Sequence, residues 1–286
     1  MITIEKHGIL LGPTEREFEN NGVFNPGIYQ DGNTVHILYR AVQDGNFSTI
    51  GYAKTDGPLK LVERFKSPLI TRDFEYEKHG VEDPRITKID DTYYILYTAY
   101  DGVNTMGALV TSKDLIHFKK HGIISPMVNY QEYEKYVTFC DTCGLNPKYH
   151  HYYRLFAEMG LVSDEMRLLR DKDIVLFPRK INGKFAMLHR IWPGIQIVYF
   201  ENWEDLTKSF WEDYLKNLTD YIVLDPKGVF EVNYIGAGGI PIETEDGWLL
   251  IYHGVQETTK GRTYHAKAAL LDRDKPEIEL SRLSYP

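Results

Sequence analysis

Hydrophobic and polar positions alternate along this chain in short runs bounded by turn residues, and four of the runs resemble one another. They are Thr34-Val-His-Ile-Leu-Tyr-Arg-Ala-Val42, Thr92-Tyr-Tyr-Ile-Leu-Tyr-Thr-Ala-Tyr100, Lys184-Phe-Ala-Met-Leu-His-Arg-Ile191 and Gly247-Trp-Leu-Leu-Ile-Tyr-His-Gly-Val255. Each follows a turn of the type Asp31-Gly-Asn, Asp90-Asp, Asn182-Gly or Glu245-Asp-Gly. Each also leads into a second β-rich segment: Ser48–Lys54, Met106–Ser112, Ile195–Phe200 and Tyr264–Asp272. Period-two alternation beside such turns predicts hairpins. A repeated four-stranded unit of roughly 40 to 60 residues is the pattern of a β-propeller blade. The predicted class is therefore all-β, with four blades directly visible and spare length for a fifth. A β-sandwich is the alternative, and it would need no repeat.

One region departs from the pattern. Tyr130–Val137 and Glu158–Arg170 are rich in helix formers, which predicts a helical insertion over about residues 128–170 within a single catalytic domain spanning 1–286. The pair His150-His151 in this region has no acidic residue four positions away, and adjacent histidines rarely bind one ion, so no metal site is predicted. Its histidines and tyrosines are surface or packing residues, or else shape one wall of a cleft.

Composition narrows the function. Aromatic residues make up 13% of the chain, with 21 tyrosines. Tyrosine suits strands, and it also suits sugar clefts, where the ring stacks on a sugar and the hydroxyl reaches its polar edge. A net charge of -8 with no basic block argues against nucleic acid or an anionic membrane as partner. The N-terminus lacks the basic-then-apolar order of a signal peptide, and no run approaches the roughly 20 apolar residues of a membrane helix. A cytoplasmic protein is expected. Cys140 and Cys143 form a C-x-x-C with no second pair to complete a zinc site, and read as ordinary reduced thiols.

The densest ionisable cluster is Gly80-Val-Glu-Asp-Pro-Arg85, just before the second run. A following proline favours extended backbone at Asp83, which sends Glu82 and Asp83 to opposite sides of the chain. Arg85 is expected to turn from Asp83 toward Glu82. Alone, the stretch also reads as a turn with solvated acids. Matching edges of the other repeats carry similar groups: Asn25-Pro26-Gly27 and Arg40; Leu176–Lys180 and His189-Arg190; Glu231–Gly239 and His253. Propeller loops meet at one mouth, so these groups define a pocket of carboxylates, guanidinium groups, an amide and aromatic rings. Such a pocket suits glycoside chemistry. Inverting hydrolysis needs an acid and a carboxylate base across the ring, whereas a phosphorylase needs the acid and cations to hold phosphate.

Asn25-Pro-Gly, Gly80–Ile86, the long stretch Lys172–Arg190, Ile235-Gly-Ala-Gly238 and Gly247–Val255 together resemble glycoside hydrolase family 130 along nearly the whole chain. The resemblance implies a five-bladed β-propeller with a small helical insertion, acting on β-mannoside oligosaccharides as an inverting phosphorylase or an inverting β-1,2-mannosidase. It makes Asp83 the general acid and places Asn25, Arg40 and Asp272 at the sugar. Lys172 and Arg190 match two basic phosphate-site positions, but Tyr234 stands where the family has a lysine. The family's chains usually run further than Pro286, so a short C-terminal segment is missing or dispensable. With one cation replaced and Glu231 or Glu257 near enough in sequence to serve as base, hydrolysis of β-mannosides, β-1,2-linked ones foremost, is the expected activity. Phosphorolysis releasing mannose 1-phosphate is the alternative, and a non-catalytic carbohydrate-binding propeller the third. His189 and His253 complete the expected substrate-binding set. No cofactor is expected; inorganic phosphate would be a co-substrate if the enzyme is a phosphorylase.

Overall fold

The structure, a computed structural model, describes residues 5–138, 144–150 and 167–286. Strands β1 (Gly22–Asp31), β2 (Thr34–Gln43), β3 (Phe47–Asp56) and β4 (Lys60–Arg64) pair antiparallel in chain order and form a first blade. A second blade consists of β5 (Gly80–Ile89), β6 (Thr92–Tyr100), β7 (Thr105–Ser112) and β8 (Phe118–Ile123). Only the parallel pair Ser48↔Gly80 joins these two blades into one hydrogen-bonded sheet. The third blade holds β9 (Asp171–Leu176), β10 (Phe185–Ile191), β11 (Ile195–Phe200) and β12 (Ile222–Leu224). In the fourth, β13 (Tyr234–Ala237) and β14 (Ile242–Thr244) both pair with β15 (Gly247–Thr258), which pairs in turn with β16 (Gly261–Leu271) and that with β17 (Glu279–Arg282). The runs singled out from the sequence are β2, β6, β10 and β15, and their successors are β3, β7, β11 and β16. The described residues thus form the all-β blade repeat, with four blades among them.

Alternation decides where the core lies. Leu38, Ile50, Ile86 and Tyr97 fill the space between the first and second blades. Val175, Leu188, Trp248 and Tyr252 do the same between the third and fourth. The central strands are buried on both faces, as β3 and β7 show, whereas outer strands such as β4 stay largely exposed. Between β8 and β9 lies helix α1 (Tyr130–Thr138); a second helix, α2 (Lys208–Lys216), follows β11. Both pack Tyr133, Trp211 and Tyr214 into a shared apolar cluster with Leu176 and Met187, and Lys208 pairs with Glu132 at 2.7 Å. Of the helix expected over Glu158–Arg170, only Arg167–Arg170 are described, and Leu168 there forms a β-bridge with Asn129. Cys140, Cys143 and His151 lie outside the described residues.

Candidate active site

The first strands of three blades carry the same irregularity. The β1–β2 register jumps between Phe24↔Arg40 and Gly27↔Leu38, leaving Asn25-Pro26 opposite one residue. The β5–β6 register jumps between Glu82↔Thr98 and Arg85↔Leu96, leaving Asp83-Pro84; that of β9–β10 leaves Asp173-Ile174. At each of these bulges the first residue is left-handed, with φ of 45° at Asn25, 53° at Asp83 and 55° at Asp173. Among residues with a Cβ, Asn and Asp enter that region at least cost, which explains the residue types. A bulge re-aims side chains. Here it overturns the expectation of an extended Asp83 facing away from Glu82, because one guanidinium now touches both carboxylates.

That guanidinium belongs to Arg40. Its Nη2 lies 2.8 Å from Glu82 Oε1 and its Nη1 3.8 Å from Asp83 Oδ1, while Nε donates to Ser48 Oγ at 2.8 Å. Asn25 Nδ2 donates to Asp83 Oδ1 at 2.8 Å, so adjacent blades meet on the predicted acid. The inner strands come this close because residue 27 is glycine: a Cβ there would stand 2.5 Å from the Pro84 carbonyl oxygen. Glu82, 3% exposed, also pairs with Lys172 Nζ at 3.5 Å and so links the acid to the third blade. Arg85 makes no ion pair with Asp83, as expected, but does not reach Glu82 either. It is buried, Nη1 donates to the Pro84 carbonyl at 2.9 Å, and its charge is felt at Asp173 and His253 instead.

A second cluster gathers around Asp173. Arg190 Nη1 lies 3.0 Å from Asp173 Oδ2, and His253 Nε2 lies 3.7 Å from the same oxygen. Burial raises the Asp173 pKa, but Arg190, His253, Arg85 and Lys172 outweigh it and hold the carboxyl below the usual range. Burial also pushes His253 down, and Asp173 opposes that shift. Gly236 makes this meeting possible: a Cβ there would fall 2.1 Å from Asp173 Oδ2 and 2.8 Å from the His253 ring. Arg190 lies over the Tyr234 ring at 4.9 Å, and the Tyr234 and Tyr264 hydroxyls are 3.0 Å apart. Burial and that hydrogen bond push Tyr234 up to about 12, so it presents a hydroxyl at neutral pH.

Four predicted site residues stand elsewhere. Glu231, offered as a base, is fully buried inside the fourth blade. It accepts from Tyr252 Oη at 2.6 Å and the Lys227 backbone N–H at 2.8 Å, and pairs with Arg282 at 2.9 Å and Lys267 at 3.1 Å. The arrangement repeats. In the first blade Glu19 accepts from Tyr39 at 2.8 Å and pairs with Arg64 at 2.8 Å; in the second Glu77 meets Tyr97 and pairs with Lys120 at 2.7 Å. Each of these glutamates lies in a short 3-10 turn before its blade's first strand, so the clasp is a device of the blade. Glu257 is exposed, bonded to Asn233, and about 13 Å along β15 from His253 at the usual strand rise. His189 is buried between Asp171, at 2.9 Å, and the Tyr214 hydroxyl, at 2.8 Å. Asp272 accepts from the Asp274 and Lys275 backbone in a turn beyond β16, about 20 Å along that strand from the partner of His253. Asp173 was missed. Its signal was its place, the same in its blade as Asn25 and Asp83 in theirs.

Carboxylates, guanidinium groups and aromatic rings thus meet from successive inner strands of a blade repeat, a lining suited to holding a sugar. The sequence profile of glycoside hydrolase family 130, described as beta-1,4-mannooligosaccharide phosphorylase, matches residues 12–175 and 148–284, and the chain belongs to this family. It is 30% identical over 97% of its length to a 1,2-beta-oligomannan phosphorylase of Thermoanaerobacter sp. (strain X514), covering 78% of that protein. It is 32% identical to a beta-1,2-mannobiose phosphorylase of the same organism, over 97% of this chain and 79% of the relative. The fold matches that of the beta-1,2-mannobiose phosphorylase from Listeria innocua in complex with beta-1,2-mannobiose, with a TM-score of 0.64 at 23% identity over 92% of this chain and 76% of that one. A glycosyl hydrolase from Bacteroides ovatus gives a TM-score of 0.70 at 20% identity, over 97% of this chain and 77% of that one. The chain is thus a glycosidase or a glycoside phosphorylase. Among the described residues no helix is long and apolar enough to cross a membrane, and no group of side chains has the make-up of a metal site.

Proposed function

We propose that the protein is an inverting β-mannoside phosphorylase acting on β-1,2-linked oligomannosides, with inorganic phosphate as co-substrate. This reverses the expected order of hydrolysis and phosphorolysis. The observation that carries it is the fate of the two candidate bases: Glu231 is saturated by four partners within its blade, and Glu257 sits far along β15. What converges instead is basic, Lys172, Arg190 and His253, with the Tyr234 hydroxyl at the lysine's place. The names of the two Thermoanaerobacter relatives support the same reading. We read the whole chain as one catalytic unit, with the segment about 128–170 as an insertion, acting in the cytoplasm.

In this mechanism Asp83 protonates the departing glycosidic oxygen. The Asn25 amide donating to Oδ1 directs the carboxyl proton to Oδ2, and Arg40 fixes the group while contacting the sugar. Phosphate, held by the second cluster, attacks the anomeric carbon from the opposite face and gives α-mannose 1-phosphate. Charge-assisted contacts from Arg190 and Lys172 suit a dianion, and no base is required of the protein. Incubation with β-1,2-mannobiose, with and without inorganic phosphate, tests the proposal. Phosphorus NMR should show α-mannose 1-phosphate forming only with phosphate, and equal mannose release without phosphate would overturn it.

A further inference from the structure

Beside Glu82, which Arg40 and Lys172 pair, the site contains a second buried carboxylate that the mechanism does not consume. Asp173 is 9% exposed, and its Oδ2 is the common point of Arg190, 3.0 Å away, and His253, 3.7 Å away. Neither contact is an aligned hydrogen bond, since Oδ2 has no hydrogen-bond partner and is closed off from solvent. The oxygen therefore acts on Arg190 through charge and meets the His253 ring by close approach, and its place is set by packing. That packing is specific: a left-handed backbone at residue 173 brings the carboxylate to this point, and the missing Cβ of Gly236 leaves room for it to meet the imidazole. The two groups it gathers come from different blades, Arg190 from β10 and His253 from β15.

We propose that Asp173 is the positioning residue of the phosphate subsite, pinning Arg190 and His253 to one point so that both face the incoming anion in fixed geometry. The inference rests on the phosphorylase reading above. A long guanidinium side chain loses much rotamer freedom when ordered, and a counter-charge already in place meets that cost before phosphate arrives. Oδ2 is closed to solvent, and the positioning role asks no proton transfer of it.

Removing a negative charge beside an anion site would by itself tighten phosphate binding, whereas losing the pin loosens it, so the direction of change separates the two roles. In Asp173→Asn we expect KM for phosphate to rise about tenfold or more, with KM for β-1,2-mannobiose and kcat at saturating phosphate within about threefold of the parent. Gly236→Ala keeps the carboxylate but forces it off its point, and should shift KM for phosphate the same way; it also serves as the test if Asp173→Asn fails to fold. A phosphate KM unchanged or lowered in a folded variant overturns the proposal. So does a collapse of kcat at saturating phosphate that added azide or formate restores, because that would make Asp173 a base. If the parent enzyme releases mannose equally without phosphate, the phosphorylase reading fails first, and that outcome is seen before any variant is made.

Discussion

Glu231 and Asp173 are both buried carboxylates ringed by positive charge, and the contrast between them separates scaffold from site. Around Glu231, a tyrosine hydroxyl, a backbone N–H, an arginine and a lysine occupy the acceptor positions of both oxygens. Nothing is left for a ligand. Around Asp173 the positive charge is equally dense, yet Oδ2 has no aligned donor, and the backbone is left-handed. A fully satisfied carboxylate ties a blade together; one with an oxygen that is charge-paired but has no hydrogen-bond donor, in strained backbone, belongs where a fold gives up local comfort for geometry. The Glu231 pattern recurs at Glu19 and Glu77, whereas the bulge pattern recurs at Asn25 and Asp83, the residues that meet each other in the site.

The largest effect that sharpens this contrast is at Asp83 itself. Asp83→Asn should lower kcat on the order of a thousandfold with little change in melting temperature, since the amide keeps the shape but not the proton. Next comes Glu231→Gln, which removes the charge facing Arg282 and Lys267 and should destabilise the fold by about 3–5 kcal/mol while leaving kcat of the folded fraction near the parent value. Urea unfolding read beside initial rates checks both halves. A base role for Glu231 would show the reverse, a lost rate in a stable protein.

The clasp also fixes a pH dependence. Burial raises the pKa of Glu231, but its hydrogen bonds and the Arg282 charge outweigh this and leave it below the ordinary 4.5; the same balance, with Thr14, Tyr39 and Arg64, lowers Glu19. Groups with depressed folded pKa values stabilise above their unfolded pKa and lose that contribution as pH falls through the folded value. Unfolding midpoints of the parent should therefore drop between about pH 5 and pH 3, and Glu231→Gln should drop less steeply there. The smallest effect is at Glu257, where replacement by Gln at an exposed position should change kcat/KM by less than about twofold. A larger loss in a folded variant would reinstate it as a base.

Much of the fold was legible from alternation and turns, because the strand period is set by the pleat and needs no tertiary knowledge. The four runs from Thr34 to Val255 and their successors became the central strands of four blades. The acid stretch was legible as a motif, but not its geometry. Asp83-Pro84 reads as extended by local sterics, and only pairing with β6 reveals the bulge that brings Glu82 and Asp83 onto one guanidinium. Sequence proximity misled in the fourth blade. Glu231 lies close in the chain to Tyr234, yet the 3-10 turn at Val229–Glu231 sends its side chain into the blade. His189 stands beside Arg190, and the pleat sends the two to opposite faces, one to Tyr214 and the other to Asp173.

The proposed phosphorylase requires that phosphate, and not water, attack the anomeric carbon. Turnover of β-1,2-mannobiose by the whole protein in oxygen-18-labelled water with saturating inorganic phosphate tests it directly, by mass spectrometry of the products before any later exchange. Phosphorolysis gives α-mannose 1-phosphate with no label at the anomeric oxygen and no labelled mannose beyond the background of reducing-end exchange. Free mannose carrying label at its anomeric carbon, formed at the rate of substrate loss, would contradict it.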